Sequence, residues 1–462
     1  MATKVVERQA KAQSGDEPIS QRIARLVDQH GPFDQVEVLS TNVNGNFFSK
    51  RFPFNKLEKM MEDGLSFPRA MYILSTTSIS MGEDIGGLGL DDGDPDVAVE
   101  FIPQSLACAS LGSKPRAQIL VTSRTSEPPV DPRWALEQVL ERFAAQKLTP
   151  VVAFELEFTL FDRQRSADGS VHPATNPLTG ETDKSVMLSP DSLEGFEPFI
   201  EEVIANCDMQ GIETGAICSE FGAGQFEINF PHYDDALTAA DHAQLFKRTV
   251  KSIAARHGFI GSFIAKPHFD WVGNGQHIHA SIIDAAGKNI FDGGDAPDPS
   301  LFHALGGLQK AAWEAMLFWA PNINSYRRFE PENCVPTGAT WAHEHRHVGF
   351  RIPLGTGGAW RIENRIPGAD ANCYLALAAM LSGMLHGLEH KLEPSAETHG
   401  APDMDDSGLP LTLRDAIAAT GEGSLLKDYM GADFVTTYAK HRQAELGHFD
   451  RFISPRELDW YL

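Results

Sequence analysis

Phe154-Glu155-Leu156-Glu157-Phe158 alternates apolar and acidic residues without a break. Side chains alternate between the two faces of a strand, so Phe154, Leu156 and Phe158 take one face and both carboxylates take the other. Three further stretches repeat the pattern. In Gln225-Phe226-Glu227-Ile228-Asn229-Phe230, Glu227 stands between Gln225 and Asn229 on a polar face. In HIHASI (277–282), His277, His279 and Ser281 share a face, and in RIENRI (361–366), Arg361 and Arg365 flank Glu363. Glu220 lies seven residues before Glu227, ahead of a turn-like FGAG (221–224).

Any one of these could be an amphipathic strand with its polar face in water. Four together are harder to explain that way. Neighbouring carboxylates repel, and clustering them costs stability unless cations or arginines neutralise them. Glu155, Glu157, Glu220, Glu227 and Glu363 with His277, in a chain with few thiols, suit hard divalent ions such as Mg²⁺ or Mn²⁺. Two such ions and several arginines point to phosphoryl transfer, because both clamp phosphate charge. No GxxxxGK[ST] segment occurs, so a nucleotide would not sit on a P-loop.

The composition narrows the partners. The chain has 462 residues, 42% hydrophobic and 22% charged, with a formal net charge of −24. That balance argues against nucleic acid, since nothing neutralises a phosphate backbone. It suits cationic substrates, although an acidic surface also serves solubility alone. The five scattered cysteines predict free thiols in a reducing compartment. With no CxxC pair or Cys/His cluster, a zinc site is not expected. The N-terminal residues lack the apolar core of a signal peptide. The most apolar helical stretch, 374–388, is interrupted by Ser382, Gly383 and His386 and is shorter than the ~20 residues a membrane span needs. A cytoplasmic protein is expected, with no membrane partner.

Along the chain, residues 1–18 offer little apolar surface and predict a mobile tail. From Gln35 two strands are expected around a turn at Asn44-Gly45. The acidic, Gly-rich stretch 82–96 predicts a solvated loop, without the alternating Asp spacing of a calcium loop. Strands are expected at VAVEFIP (97–103) and QILVTS (118–123). The Pro-rich SEPPVDP (126–132) then marks a junction, where Asp131 can cap a helix that Pro132 begins. The expected division is a tail (1–18), an N-terminal domain (19–128) and a large catalytic domain (129–462).

VNGNFFSKRFP (43–53), FELEFTLFD (154–162), EFGAGQFEINF (220–230), GNGQHIH (273–279), APNINSYRRF (320–329) and RIENRIPGADANCYLALA (361–378) together carry a resemblance. The sequence resembles the glutamine synthetase family, and within it the γ-glutamylpolyamine synthetase-like branch, over nearly the whole chain from about residue 20. The resemblance implies an α+β fold: a small N-terminal β-grasp domain, then a large domain whose curved antiparallel sheet forms a funnel-shaped site. It implies ATP as substrate, two or more Mg²⁺ or Mn²⁺ ions, and hexameric rings stacked as a dodecamer, each N-terminal domain closing a neighbour's funnel. The implied activity is an acid–amine ligase that joins the glutamate γ-carboxylate to an amine through γ-glutamyl phosphate.

By motif, the resemblance implies that Glu157, Glu220 and Glu227 hold a first metal ion, beside the amino-acid substrate. Glu155, His277 and Glu363 would hold a second against the ATP phosphates. Arg346 and Arg351, in HRHVGFRIP (345–353), match positions that hold phosphate and ATP, and His279 and Ser281 match the nucleotide side. Gly273, Arg328 and Arg365 match positions around glutamate. Arg346 and Arg328 are the candidate catalytic residues.

The departures concern the acceptor. Ammonia-using members carry a flap glutamate and an N-domain aspartate that bind ammonium. Here the flap EPENCVP (330–336) puts Cys334 at the first position, and SFPRAMY (66–72) puts Pro68 at the second. Neither offers a carboxylate, so a larger, N-substituted amine is expected: a polyamine, ethanolamine, a short alkylamine or an aromatic amine. Cys334 is expected to fill space rather than act as a nucleophile. An alkylamine with a pKa near ~10 still needs a base, for which Glu332, Glu344 and the released phosphate are candidates. Glu330 and Glu332 could face the second charge of a polyamine. Val272 replaces an asparagine that contacts glutamate, and no counterpart of the adenylylated tyrosine occurs. Three other readings are weaker. Ordinary glutamine synthetase is disfavoured by Cys334 and Pro68, and a non-catalytic descendant by the intact ligand set. A paired-carboxylate glycosidase leaves the histidines and arginines unexplained.

Overall fold

Strands β1 (Gln35–Thr41) and β2 (Phe47–Pro53) form the antiparallel hairpin expected around Asn44-Gly45. Gly45 closes the connection at φ +75°, a left-handed conformation that favours glycine. The computed structural model describes residues 17–79, 85, 88, 93–184, 186–330, 335–400 and 408–462. Most of the expected tail and of the acidic loop 82–96, together with Glu332 and Cys334, lie outside the described residues.

β1 also pairs, in parallel, with β5 (Arg116–Thr122). The sheet continues antiparallel through β4 (Asp96–Ala109) to β3 (Leu65–Pro68), giving the order β2-β1-β5-β4-β3. Val36, Val38, Ile119 and Val121 form a small core with Leu26 of the helix Ile19–His30. Asp131 ties this sheet to the larger part of the chain. Its carboxylate accepts from Arg133 N (2.8 Å), capping the helix Pro132–Ala145, and from Ser123 N (2.6 Å) at the end of β5.

The second sheet is built on the long strand β6 (Thr149–Asp162). Phe154, Leu156, Phe158 and Leu160 are buried on its back, where Phe158 meets the rings of Phe199, Phe226, Phe246 and Phe263. Phe246 belongs to the helix Ala236–Arg256, so the apolar face set by the alternation is the face the helices cover. Around β6 stand β7 (Ile217–Ser219), β8 (Gln225–Asn229), β9 (Phe259–Ser262), β10 (Gln276–Ile283), β11 (Trp341–His343), β12 (Phe350–Ile352) and β13 (Ile362–Asn364). Their order is β11-β12-β13-β10-β6-β8-β7, with β9 beside the end of β6.

All these pairs are antiparallel except β11 and β12, which run parallel, so the expectation of a wholly antiparallel sheet needs correction at this edge. Both strands have three residues, short enough for the intervening 344–349 to carry the chain back. β6 also changes partner along its length. It pairs with β10 up to Leu156, and from Thr159 with β9. Where the strands part, Glu157 N donates to Gly275 O (3.1 Å).

Among the described residues Cys108, Cys207, Cys218 and Cys373 are free thiols, and no helix is long and apolar enough to cross a membrane.

Candidate active site

Register lays out the site in three rows across one face of the second sheet. The first row is Cys218 on β7, Glu227 on β8 and Glu157 on β6. The second is Asn229, Glu155 and, on β10, His277. The third, opposite Ala153, is His279, Glu363 on β13 and Arg351 on β12. Successive rows are two residues apart along β6, so they share a face. Period-two alternation thus chooses which residues point into the site, and strand pairing decides which of them meet.

His277 lies at the centre. Its Nδ1 is 3.3 Å from Glu155 Oε2, 3.9 Å from Glu363 Oε1 and 4.0 Å from Glu227 Oε2, and its Nε2 is 3.7 Å from Glu157 Oε1. Glu155 Oε1 is also 3.1 Å from His279 Nε2. Glu157 Oε2 accepts from Gly275 N (2.7 Å) and from Gln225 Nε2 (3.2 Å). Glu363 is gripped by Arg365 at 2.5 Å and Arg351 at 2.8 Å.

These surroundings divide the acids. Burial and the negative charge of Glu155, Glu157 and Glu220 push the Glu227 carboxyl up to about 9. Burial and Glu157 push Glu220 up to about 7. Burial acts the same way on Glu363, but Arg365, His279 and His277 outweigh it and hold that carboxyl at about 2. Glu155 likewise resists its burial, because the hydrogen bonds from His277 and His279 hold it well below the usual carboxylate range.

Such a set suits divalent cations. Oxygen donors with one imidazole match hard ions, and protein cations leave Glu227 and Glu220 largely uncompensated. Ligand atoms of Glu155, His277 and Glu363 lie within 4.8 Å of one another, which is the second expected trio. The first trio is divided between two overlapping groups, Glu157 with Glu227 and His277, and Glu220 with Glu227 and Cys218.

The arginines wall the site. Arg328 is buried, donating to Ile366 O (2.8 Å) and Arg365 O (3.3 Å), and burial pushes its guanidinium down to about 10 despite the charge of Glu157. Arg365 Nε donates to Arg346 O (3.0 Å), and Arg346 itself is exposed, with its charge acting on Glu220. Arg351 Nε and Arg328 Nε are buried donors with no hydrogen-bond partner among the described residues. Ser281 is buried further along β10 on the His277 face. At Gly273 an added Cβ would lie 2.5 Å from Ala265 O and 2.8 Å from Arg328 Cγ, so only glycine lets the two chain segments close.

Three neighbours carry no role in the sequence reading. Gly275 donates its N–H to Glu157, and a Cβ there would sit 2.9 Å from both Arg328 Nη2 and His277 Nε2. Cys218 is 3.5 Å from Glu220 Oε1, and its spacing two residues before Glu220 was the available signal. Arg361 Nε reaches His279 Nδ1 at 3.3 Å, extending the arginine wall along β13.

The acceptor candidates are more dispersed. Glu330 is ion-paired with the buried Lys266 (2.7 Å). Glu344, at φ +50°, accepts from Arg351 at 3.2 Å and from Leu354 N. Pro68 ends β3, an edge strand of the other sheet, and is not among the residues gathered round His277. Cys334 and Glu332 lie outside the described residues.

A carboxylate–histidine cluster floored by this sheet and walled by arginines defines a class, and comparison with known proteins places the chain in it. Residues 129–461 match the glutamine synthetase catalytic domain, and the chain belongs to the glutamine synthetase family. It is 35% identical to the gamma-glutamylputrescine synthetase PuuA of Escherichia coli (strain K12), covering 100% of this chain and 99% of that one. It is 31% identical to a glutamate–isopropylamine ligase of a Pseudomonas species, over 81% of this chain and 83% of the relative. A solved GmaS/ADP complex superposes with a TM-score of 0.80 at 26% identity, over 95% of this chain and 98% of that one. The fold is that of glutamine synthetase, whose members use ATP and divalent metal ions.

Proposed function

We propose that this chain is a ligase that uses ATP to join the γ-carboxylate of glutamate to a primary amine. One observation carries the reading. The likeness to a synthetase of γ-glutamylputrescine runs over the whole chain, at 35% identity.

A carboxylate is a poor acyl donor and phosphate is a good leaving group, which is why ATP is consumed. First, a γ-carboxylate oxygen attacks the γ-phosphorus of ATP and ADP departs. The amine nitrogen then attacks the acyl carbon of γ-glutamyl phosphate, the C–O bond to phosphate breaks, and the nitrogen loses a proton.

In this reading Glu157, Glu220 and Glu227 hold one Mg²⁺ or Mn²⁺ ion, and Glu155, His277 and Glu363 hold another. Bound ions would neutralise phosphate charge during the transfer. Arg346 and Arg351 take phosphate, His279 and Ser281 lie towards the nucleotide, and Gly273, Arg328 and Arg365 surround glutamate. The Nε donors of Arg351 and Arg328 support this, since each is desolvated without a partner among the described residues.

The chain divides near residue 128, and subunits assemble in hexameric rings stacked as a dodecamer, so that Pro68 of one chain reaches the amine site of the next. The location is cytoplasmic. Glu344 and Glu332 are candidate bases. Glu330, already paired with Lys266, has less charge to offer a polyamine. The loss of both ammonium-binding carboxylates favours a substituted amine over ammonia.

Phosphate release with glutamate, ATP and a panel of putrescine, ethanolamine, isopropylamine and ammonia tests this. A primary amine should exceed ammonia in kcat/KM. Ammonia as best acceptor, or no release with any amine, would overturn it.

A further inference from the structure

His386-Gly387-Leu388-Glu389-His390 lies away from the His277 cluster, in the last turn of the helix Cys373–His390. Residues three and four apart share a helix face. Here one ligand atom from each of His386, Glu389 and His390 lies within 4.8 Å of the others, and the two imidazole rings are 4.1 Å apart. We propose that these three residues form a separate transition-metal site, binding Zn²⁺ or a similar ion through two imidazoles and a carboxylate.

Hydrogen bonding around the cluster points to such a ligand. His390 Nδ1 is 3.0 Å from the His386 carbonyl oxygen, and His386 Nδ1 is 3.4 Å from the Tyr429 hydroxyl. Each ring therefore has its Nδ1 engaged and its Nε2 left to coordinate. Metal-binding histidines almost always anchor their other ring nitrogen in this way. The Tyr429 hydroxyl donates to Glu389 Oε2, and Gln146 donates to Glu389 Oε1. Two other parts of the fold thus orient the carboxylate.

The electrostatics agree. A helix C-terminus favours positive charge, and Glu389, Asp428 and Glu314 all act on the His386 ring. The donor set also differs from the acid-rich cluster round His277. Two imidazoles select Zn²⁺, Ni²⁺ or Cu²⁺ over Mg²⁺. Glu389 and His390 are exposed, so a fourth position stays open to water. A bound ion would fasten the end of this helix to the helix Leu425–Met430, which carries Tyr429.

Calorimetric titration of the full chain with Zn²⁺ tests the assignment, using a His386→Gln/His390→Gln double variant and a Glu227→Ala variant. The double variant should lose one Zn²⁺ per chain and the Zn²⁺-dependent rise in Tm, with Mg²⁺-supported activity unchanged. Glu227→Ala should keep that Zn²⁺, and Tyr429→Phe should weaken it about 10-fold through the lost anchor. Equal Zn²⁺ stoichiometry and affinity in the wild type and the double variant would overturn the proposal, as would loss of all Zn²⁺ binding in Glu227→Ala.

Discussion

Glu157 on β6 and Glu227 on β8 stand directly opposite each other in an antiparallel ladder. Like charges so placed cost stability, and here both are half-buried, with His277 Nε2 3.7 Å from Glu157 and its Nδ1 4.0 Å from Glu227. The sheet therefore holds a charge distribution that it only partly neutralises. On the Glu363 side Arg365 and Arg351 supply the compensation. Among the described residues no arginine or lysine pairs with Glu227, and that asymmetry leaves room for a cation.

Removing the unneutralised acid separates binding from stability. Glu227→Ala should abolish turnover and the Mg²⁺-dependent rise in Tm, without lowering the Tm of the metal-free protein. Unfolding curves with and without Mg²⁺ check this. Full turnover in the variant with tight metal binding would refute the ligand assignment.

Gly275 is where backbone and site meet. Its N–H holds Glu157, and an added Cβ would press on Arg328 and His277. Gly275→Ala should therefore lower kcat about 100-fold, the scale of an ångström-sized misplacement, while the fold persists. Steady-state kinetics paired with circular dichroism read this out. Unchanged kcat would show that the close packing has no catalytic consequence.

Acid should loosen the contact between the helix Ala432–Phe449 and the segment at Leu74. His441, fully buried, places Nε2 3.3 Å from Leu74 O, and burial together with Arg442 pushes the ring down to about 4. A histidine depressed in the folded state is protonated first in the unfolded chain. Stability is thus complete above the ordinary value and is lost as pH falls towards 4. The loss from this one ring is about 2 kcal/mol near pH 5. Urea midpoints at neutral pH and near pH 5 should show a smaller drop for His441→Gln than for the wild type. Equal drops would clear His441 of the effect.

Local physics made much of this legible. The alternation at 154–158 separated Phe154, Leu156 and Phe158 from Glu155 and Glu157, and the Asn44-Gly45 turn and the Asp131-Pro132 helix start arise from side chains acting within a few residues. What stayed hidden depends on pairing between distant segments. Nothing near Cys218 says that it faces Glu227, and nothing near Gly275 says that its N–H meets Glu157. The parallel β11/β12 edge leaves no trace because strands of three residues carry almost no periodic signal. The His386/Glu389/His390 cluster contains no cysteine, and its anchors Tyr429 and Gln146 are distant in sequence.

The acceptor is tested at Cys334. If the missing flap carboxylate excludes ammonium and admits a substituted amine, Cys334→Glu should raise ammonia use only slightly. Pro68 still withholds the other acid, so half the ammonium site remains absent. Amine use should fall further, by roughly 10-fold or more, because the longer side chain takes the substituent's volume and adds a buried charge that must be neutralised. A second change, Pro68→Asp, should then recover ammonia use beyond either single variant, since two carboxylates rebuild the anionic pocket together. The readout is kcat/KM for ammonia and for the best amine across the four proteins. Simple additivity would place the two positions in separate sites, and an unaltered amine preference in Cys334→Glu would remove the flap from acceptor selection.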